Sequence, residues 1–141
     1  MSTITTFTDN QPVVQLDSNM VGVIENYISF AATSVSAADV VEVLDVGAGT
    51  WMHQVGTRCI TAEGATSTAT AGDASNADGW DASVNLNSAN TCTKSAEADA
   101  YFLAGKYYAT ADTVDFTMGH DTDAAIMYVY ALAHWPARMA S

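Results

Sequence analysis

From Met20 to Trp135 the chain repeats one pattern. Short runs of β-branched and aromatic residues alternate apolar with polar, and each run is broken by Gly, Asn or Asp. A period of two marks half-buried strands, and Asx residues and glycines supply the turns between them. The one helix competitor is the closing stretch AAIMYVYALAHW (124–135), where Ala, Met and Leu tolerate a helix. Its Tyr-Val-Tyr centre favours a strand. There Ile126, Tyr128, Tyr130 and Leu132 oppose Met127, Val129, Ala131 and Ala133, and Pro136 ends the run.

The same reading sets out the other elements. PVVQLD (12–17) and MVGVIENYISF (20–30) form the first strands, with Met20, Ile24, Ile28 and Phe30 on one face. DVVEVLDV (39–46) is apolar on both faces, which predicts a central or covered strand. The turn GAGT (47–50) then leads by a hairpin into TWMHQVGTRCIT (50–61), whose wetter face carries Arg58. TSTATA (66–71) and ASVNLN (82–87) pair as a hairpin with an elaborated tip, Val84 and Leu86 pointing inward. Residues 88–100 read as a surface loop, EADAYFLAGKYY as one helical turn ended by Gly105, and TVDFTM (113–118) as a strand. Roughly eight strands in a chain of this length predict a single all-β domain, an antiparallel β-sandwich or jelly roll. It spans residues 12–141, behind a flexible N-terminal arm of residues 1–11.

Charge excludes two partner classes. Sixteen Asp and Glu stand against Arg58, Lys94, Lys106 and Arg138, a formal net charge of −12. So few scattered cations cannot track a phosphate backbone, and an anionic membrane would repel the chain. Nucleic acid and membrane are therefore not expected partners. The segment MSTITTFTDNQP lacks the basic and apolar regions of an export signal. Cys59 and Cys92 have no metal-motif spacing and are expected as free, partly buried thiols.

No motif carries chemistry strongly. GDASNADGWD (72–81) offers Asp73, Ser75, Asn76, Asp78 and Asp81 as calcium donors. With Gly79 as the invariant EF-hand glycine, however, the first ligand falls on Ala74 and the terminal bidentate ligand on Asn85. The preferred reading is an Asx-rich tip in which Gly79 takes positive φ and Trp80 folds back onto the sheet. GAGT lacks the third glycine and the following helix of a dinucleotide fingerprint, since Met52 stands where that glycine belongs. His53 and His134 lie on strands. His120, beside Asp121 and Asp123, is the best acid-base candidate, but the segment is first a turn. No catalytic signature, cofactor or metal site is expected. Trp51, Trp80, Tyr101, Tyr107, Tyr108 and Trp135 exceed what turns require, and exposed members suit a sugar or protein interface.

The layout as a whole carries a resemblance. Its parts are Asp45-Val46-Gly47-Ala48-Gly49-Thr50 before a Trp-led strand, the acidic loop Gly72 to Trp80, Ala104-Gly105-Lys106-Tyr107-Tyr108, Asp112-Thr113-Val114-Asp115-Phe116, and the closing Tyr-Val-Tyr strand. Over residues 38–132 this resembles small structural proteins of tailed bacteriophages, most like capsid decoration or cement proteins. The resemblance implies a non-enzymatic virion component on the capsid surface, assembling as a homotrimer and binding the major capsid protein. Under it, Ile4 and Phe7 of the arm would plug a partner groove, and Trp51 and Trp80 would join the contact. The alternatives are a carbohydrate- or receptor-binding module of fibre type, and a tail or neck protein.

Overall fold

The computed structural model describes residues 2–4, 11–12, 20–64 and 66–135. Eleven strands are defined: β1 (Thr3–Ile4), β2 (Gln11–Pro12), β3 (Met20–Ser29), β4 (Val40–Val46), β5 (Thr50–Thr61), β6 (Thr68–Gly72), β7 (Asp81–Asn85), β8 (Thr91–Lys94), β9 (Lys106–Tyr108), β10 (Asp112–Met118) and β11 (Ile126–Trp135). They form a sheet of order β1-β4-β10-β6-β7 and a second of order β2-β3-β11-β5-β8, with β9 also paired to β5. No helix occurs among the described residues. From β3 to β6 the chain changes sheet at each successive strand, and it crosses again into and out of β10. That alternation gives the sandwich its jelly-roll-like character.

The core lies between the sheets. Phe30, Leu44, Met52, Trp80, Leu86, Phe116 and Met127 are all inaccessible to solvent. Each such side chain contributes about 1.5–3 kcal/mol through removal of apolar surface from water. Strand β11 is the spine of its sheet, paired along its length with β3 and β5. Met127, Val129, Ala131 and Ala133 face the core, as the alternation predicts.

Bulges explain where simple alternation fails. Opposite β10, Leu44 pairs with Val114 and Glu42 with Asp115, leaving Val43 as an extra residue. The inserted residue lets Val43 and Leu44 both turn inward. The two-faced hydrophobicity of 39–46 thus reflects a bulge rather than a strand covered on both sides. A second irregularity, at His53 opposite β11, moves burial in β5 from Met52 to Val55, Thr57 and Cys59. Trp51, His53 and Arg58 stay on the outside.

Several expectations are corrected. GAGT connects β4 to β5 across the two sheets, so it is a corner and not a hairpin; the Gly49 amide donates to the Tyr108 carbonyl at 2.7 Å. Residues 88–100 contain β8, and the expected helical turn is a run of turns leading into β9. Residues 2–4 of the segment read as an arm lie on the first sheet. Thr3 and Ile4 pair in parallel with Val40 and Val41, and Ser2 donates to Asp39 through its amide and hydroxyl at 3.1 and 2.8 Å. Ile4 is half-buried and packs against the core. Phe7 and most of PVVQLD lie outside the described residues.

Candidate functional site

The decapeptide around Trp80 joins β6 to β7 as the expected elaborated hairpin. Its organiser is Asp73, whose side chain is fully buried. One carboxylate oxygen accepts the amides of Ser75 and Asn76 at 2.9 and 3.0 Å and the Tyr101 hydroxyl at 3.1 Å. The other accepts Lys106 Nζ at 2.6 Å and the Tyr108 hydroxyl at 2.8 Å. Trp80 Nε1 donates to the Tyr108 oxygen at 3.1 Å, and Lys106 Nζ sits over the Tyr101 and Tyr108 rings at 4.5 and 5.0 Å. Burial pushes the Asp73 carboxyl up, but the bonds from Lys106, Tyr108, Ser75 and Asn76 outweigh it and hold it below the usual range. For Lys106, burial favours the neutral amine, yet Asp73 and Tyr101 keep it more strongly protonated than an ordinary lysine.

This arrangement is a clasp. Asp73 and Trp80 belong to the hairpin of one sheet, and Lys106 and Tyr108 to β9 of the other. A carboxylate already holding five donors has no vacant lone pair aimed at a cation. Among the described residues, no three His, Cys, Asp or Glu are grouped to hold a metal ion. Trp80 folds back as expected and is wholly buried in the fold. Tyr108 is buried with it. Gly79 does not take positive φ; a Cβ there would meet the Tyr101 ring at 2.3 Å, so close ring approach is what demands glycine.

Other acids serve as loop caps. Asp39 accepts the Ser36 amide, Asp99 the amides of Ala82 and Ala96, and Asp121 that of Ala37. Glu63 accepts the amides of Asp123, Ala124 and Ala125. Asp121 is therefore committed to a distant backbone amide rather than to its neighbour His120, which is exposed. His53 and His134 stack on the outer face at 5.9 Å. An open depression of about 370 Å³ is lined by Glu42, Asp45, Ala111, Asp112 and Thr113, with neither histidine nor cysteine among them. Nearby Asp115 is buried, which pushes its carboxyl up to about 6. Cys59 is buried and Cys92 exposed, both free.

The outer faces of the two sheets differ in chemistry. On the β4–β10–β6 side they present Glu42, Asp45, Asp112 and a series of threonines. On the β3–β11–β5 side the rows read Tyr27, Tyr128 and Arg58; Glu25, Tyr130 and Gly56; Val23, Leu132 and Gln54; and Val21, His134 and Trp51. Tyr27 and Val21 are 65% and 63% exposed. The Tyr27, Tyr128 and Tyr130 rings lie in sequence at 4.9 and 5.9 Å, and Trp51 rests against Tyr107 at 5.8 Å. Of the predicted contact residues that are described, Trp51 lies on this face; sequence reasoning missed Tyr27 and the tyrosine ladder, whose signal was their period-two alternation with apolar neighbours. The Trp135 side chain lies outside the described set.

No protein-family model matches the sequence, and none of the curated proteins does. Solved structures do share the fold. A chain titled as the capsid of Ralstonia phage GP4 is similar with a TM-score of 0.73 at 11% identity, over 96% of this chain and 99% of that one. A chain of the cyanophage Pam1 capsid asymmetric unit is similar at 0.61 and 14% identity, over 89% and 91%. A chain of the acidic stable capsid of Helicobacter pylori bacteriophage KHP30 is similar at 0.55 and 11% identity, over 91% and 94%.

Proposed function

We propose that the chain is a non-enzymatic structural protein of a tailed-phage virion, decorating and stabilising the capsid as a homotrimer bound to the major capsid protein lattice. The observation that carries this reading is the full-length match of the fold to chains of three phage capsids, covering nearly all of each neighbour. The rest of the molecule is consistent with it. The polar clusters around Asp73 and Glu63 hold loops and sheets together. Many weak contacts repeated over a lattice would then stabilise the capsid through mass action and avidity.

Co-sedimentation with expanded phage heads tests the proposal. Saturable binding that raises the temperature at which the heads rupture is the expected result; a protein left wholly in the supernatant would sink it. The Trp51–Tyr107 pair, 38% and 49% exposed, favours a second reading as a carbohydrate-binding or fibre-type receptor module. Glycan-array binding lost in Trp51→Ala would support that reading.

A further inference from the structure

We infer that the outer face of β3–β11–β5, with its β8 flank, is the surface on which one copy of this chain packs against another. This deepens the oligomeric part of the proposed function and rests on it for the number of copies. A sheet face that shows water Val21, Val23, Tyr27, Tyr128, Tyr130 and Leu132 exposes a continuous apolar and aromatic patch, the kind that marks an interface.

The placement of charge selects the occupant. The chain carries a formal −12, so two copies repel except where their surfaces are neutral or opposite in sign. Of its four cations, Lys106 is held inside the clasp and Arg138 lies outside the described residues. The other two, Arg58 and Lys94, stand on this one face. Register places Arg58 opposite Cys92 and Gly56 opposite Lys94, so both bases occupy the β5–β8 flank. The β3 flank holds Glu25, two strands away, which accepts the Tyr128 hydroxyl at 2.5 Å. One face thus has a basic side and an acidic side across an apolar centre. When the β5–β8 flank of one copy meets the β3 flank of the next, opposite charges adjoin, and repeated contacts of that kind close a ring. A basic partner would instead be drawn to the acidic outer face of β4 and β10.

Three strands at ~4.8 Å spacing and ~3.4 Å per residue present a face on the order of 500 Å². In a ring each copy shares this face between two neighbours, so three copies cover ~1,500 Å² in all, ~500 Å² at each contact, a small interface that closure of the ring reinforces.

The experiment is sedimentation mass at neutral pH on four proteins: the wild type, Tyr27→Glu, the double variant Arg58→Glu/Lys94→Glu, and Leu103→Glu as control. Leu103 is 77% exposed and lies in the turn before β9, outside the paired strands β3, β11, β5 and β8. The wild type should be oligomeric. Both face variants should weaken association about tenfold or more, with circular dichroism unchanged, and the control should keep the wild-type mass. If the double variant does not fold, Tyr27→Glu alone decides, because its exposed ring is not part of the core. A monomeric wild type, face variants of wild-type mass, or a control that dissociates equally would each overturn the inference. Pelleting with capsids separates it from the lattice reading: an oligomer that ignores capsids sinks only the capsid role, and a monomer that binds them sinks this inference and the trimer while leaving the capsid role standing.

Discussion

Removing the charge of Asp73 tests the clasp most directly. In Asp73→Asn the retained carbonyl oxygen can still accept the Ser75 and Asn76 amides and the Tyr101 hydroxyl. The new amide nitrogen, however, faces Lys106 Nζ, donor against donor, where 2.6 Å separated an ion pair. The pair is largely buried, its side chains 0% and 21% exposed, and breaking such a pair by removing one partner costs about 3–5 kcal/mol. Because Lys106 can turn its ammonium partly toward water, the lower end applies, about 3 kcal/mol. With a urea m-value of ~2 kcal/mol/M, the unfolding midpoint should fall by ~1.5 M at pH 7 with m unchanged. The loss should also depend on pH. The folded carboxyl titrates below its unfolded value, so its stabilisation is present above an unfolded pKa of ~3.9 and disappears as pH falls through the folded one. The gap between variant and wild type should therefore narrow below pH ~4. Lys106→Met supplies the second arm, and the double variant should lose less than the sum of the singles. A midpoint shift under about 0.5 M, or strict additivity, would refute the clasp.

Asp115 should behave in the opposite sense. Its folded pKa of about 6 exceeds the unfolded value of ~3.9, so its charge destabilises the fold above pH 6 and stability rises as pH falls from ~6 to ~4. Asp115→Asn, which can keep the bond from the Thr113 hydroxyl, should gain about 1–3 kcal/mol at pH 7 in urea unfolding and lose that slope; equal stability of both proteins at pH 7 would contradict it. Two glycines separate rigid from yielding neighbours. Gly79→Ala meets a Tyr101 ring fixed through its hydroxyl to Asp73 and Lys106 and should cost about 2–3 kcal/mol. Gly56→Ala meets only the far end of Tyr130 on the outer face and should cost under about 1 kcal/mol, as thermal melting would show.

The strands were legible because burial on one face imposes a period of two, and β10 and β11 kept that period without interruption. Legibility failed where something non-local intervened. Bulges at Val43 and His53 shift the inward face by one residue, and nothing in DVVEVLDV or TWMHQV announces an inserted residue. Strands β8 and β9 are four and three residues long and rich in Thr, Lys and Tyr, too short to show a period; they exist because the edge of β5 offers them hydrogen bonds. The decapeptide was correctly read as a turn, but its partners Tyr101, Lys106 and Tyr108 lie 28 to 35 residues away. Only the tertiary fold brings them to Asp73.

That distance also accounts for the composition. An acidic chain with few cations suggests surface repulsion, yet Asp39, Glu63, Asp73, Asp99 and Asp121 all accept backbone amides in loops. Ionised carboxylates are the strongest short acceptors for amides left over where strands end, so the acids stabilise the corners of the sandwich individually. The few cations are divided the same way. Lys106 neutralises Asp73, whose side chain is fully buried, and Arg58 and Lys94 stand on one flank of a sheet face that carries Glu25 on the other. Charge in this molecule is thus separated by place: negative at the loops and on the outside of β4 and β10, weakly positive along one edge of the aromatic face. Among the described residues the basic flank is complementary to the acidic outer face of β4 and β10.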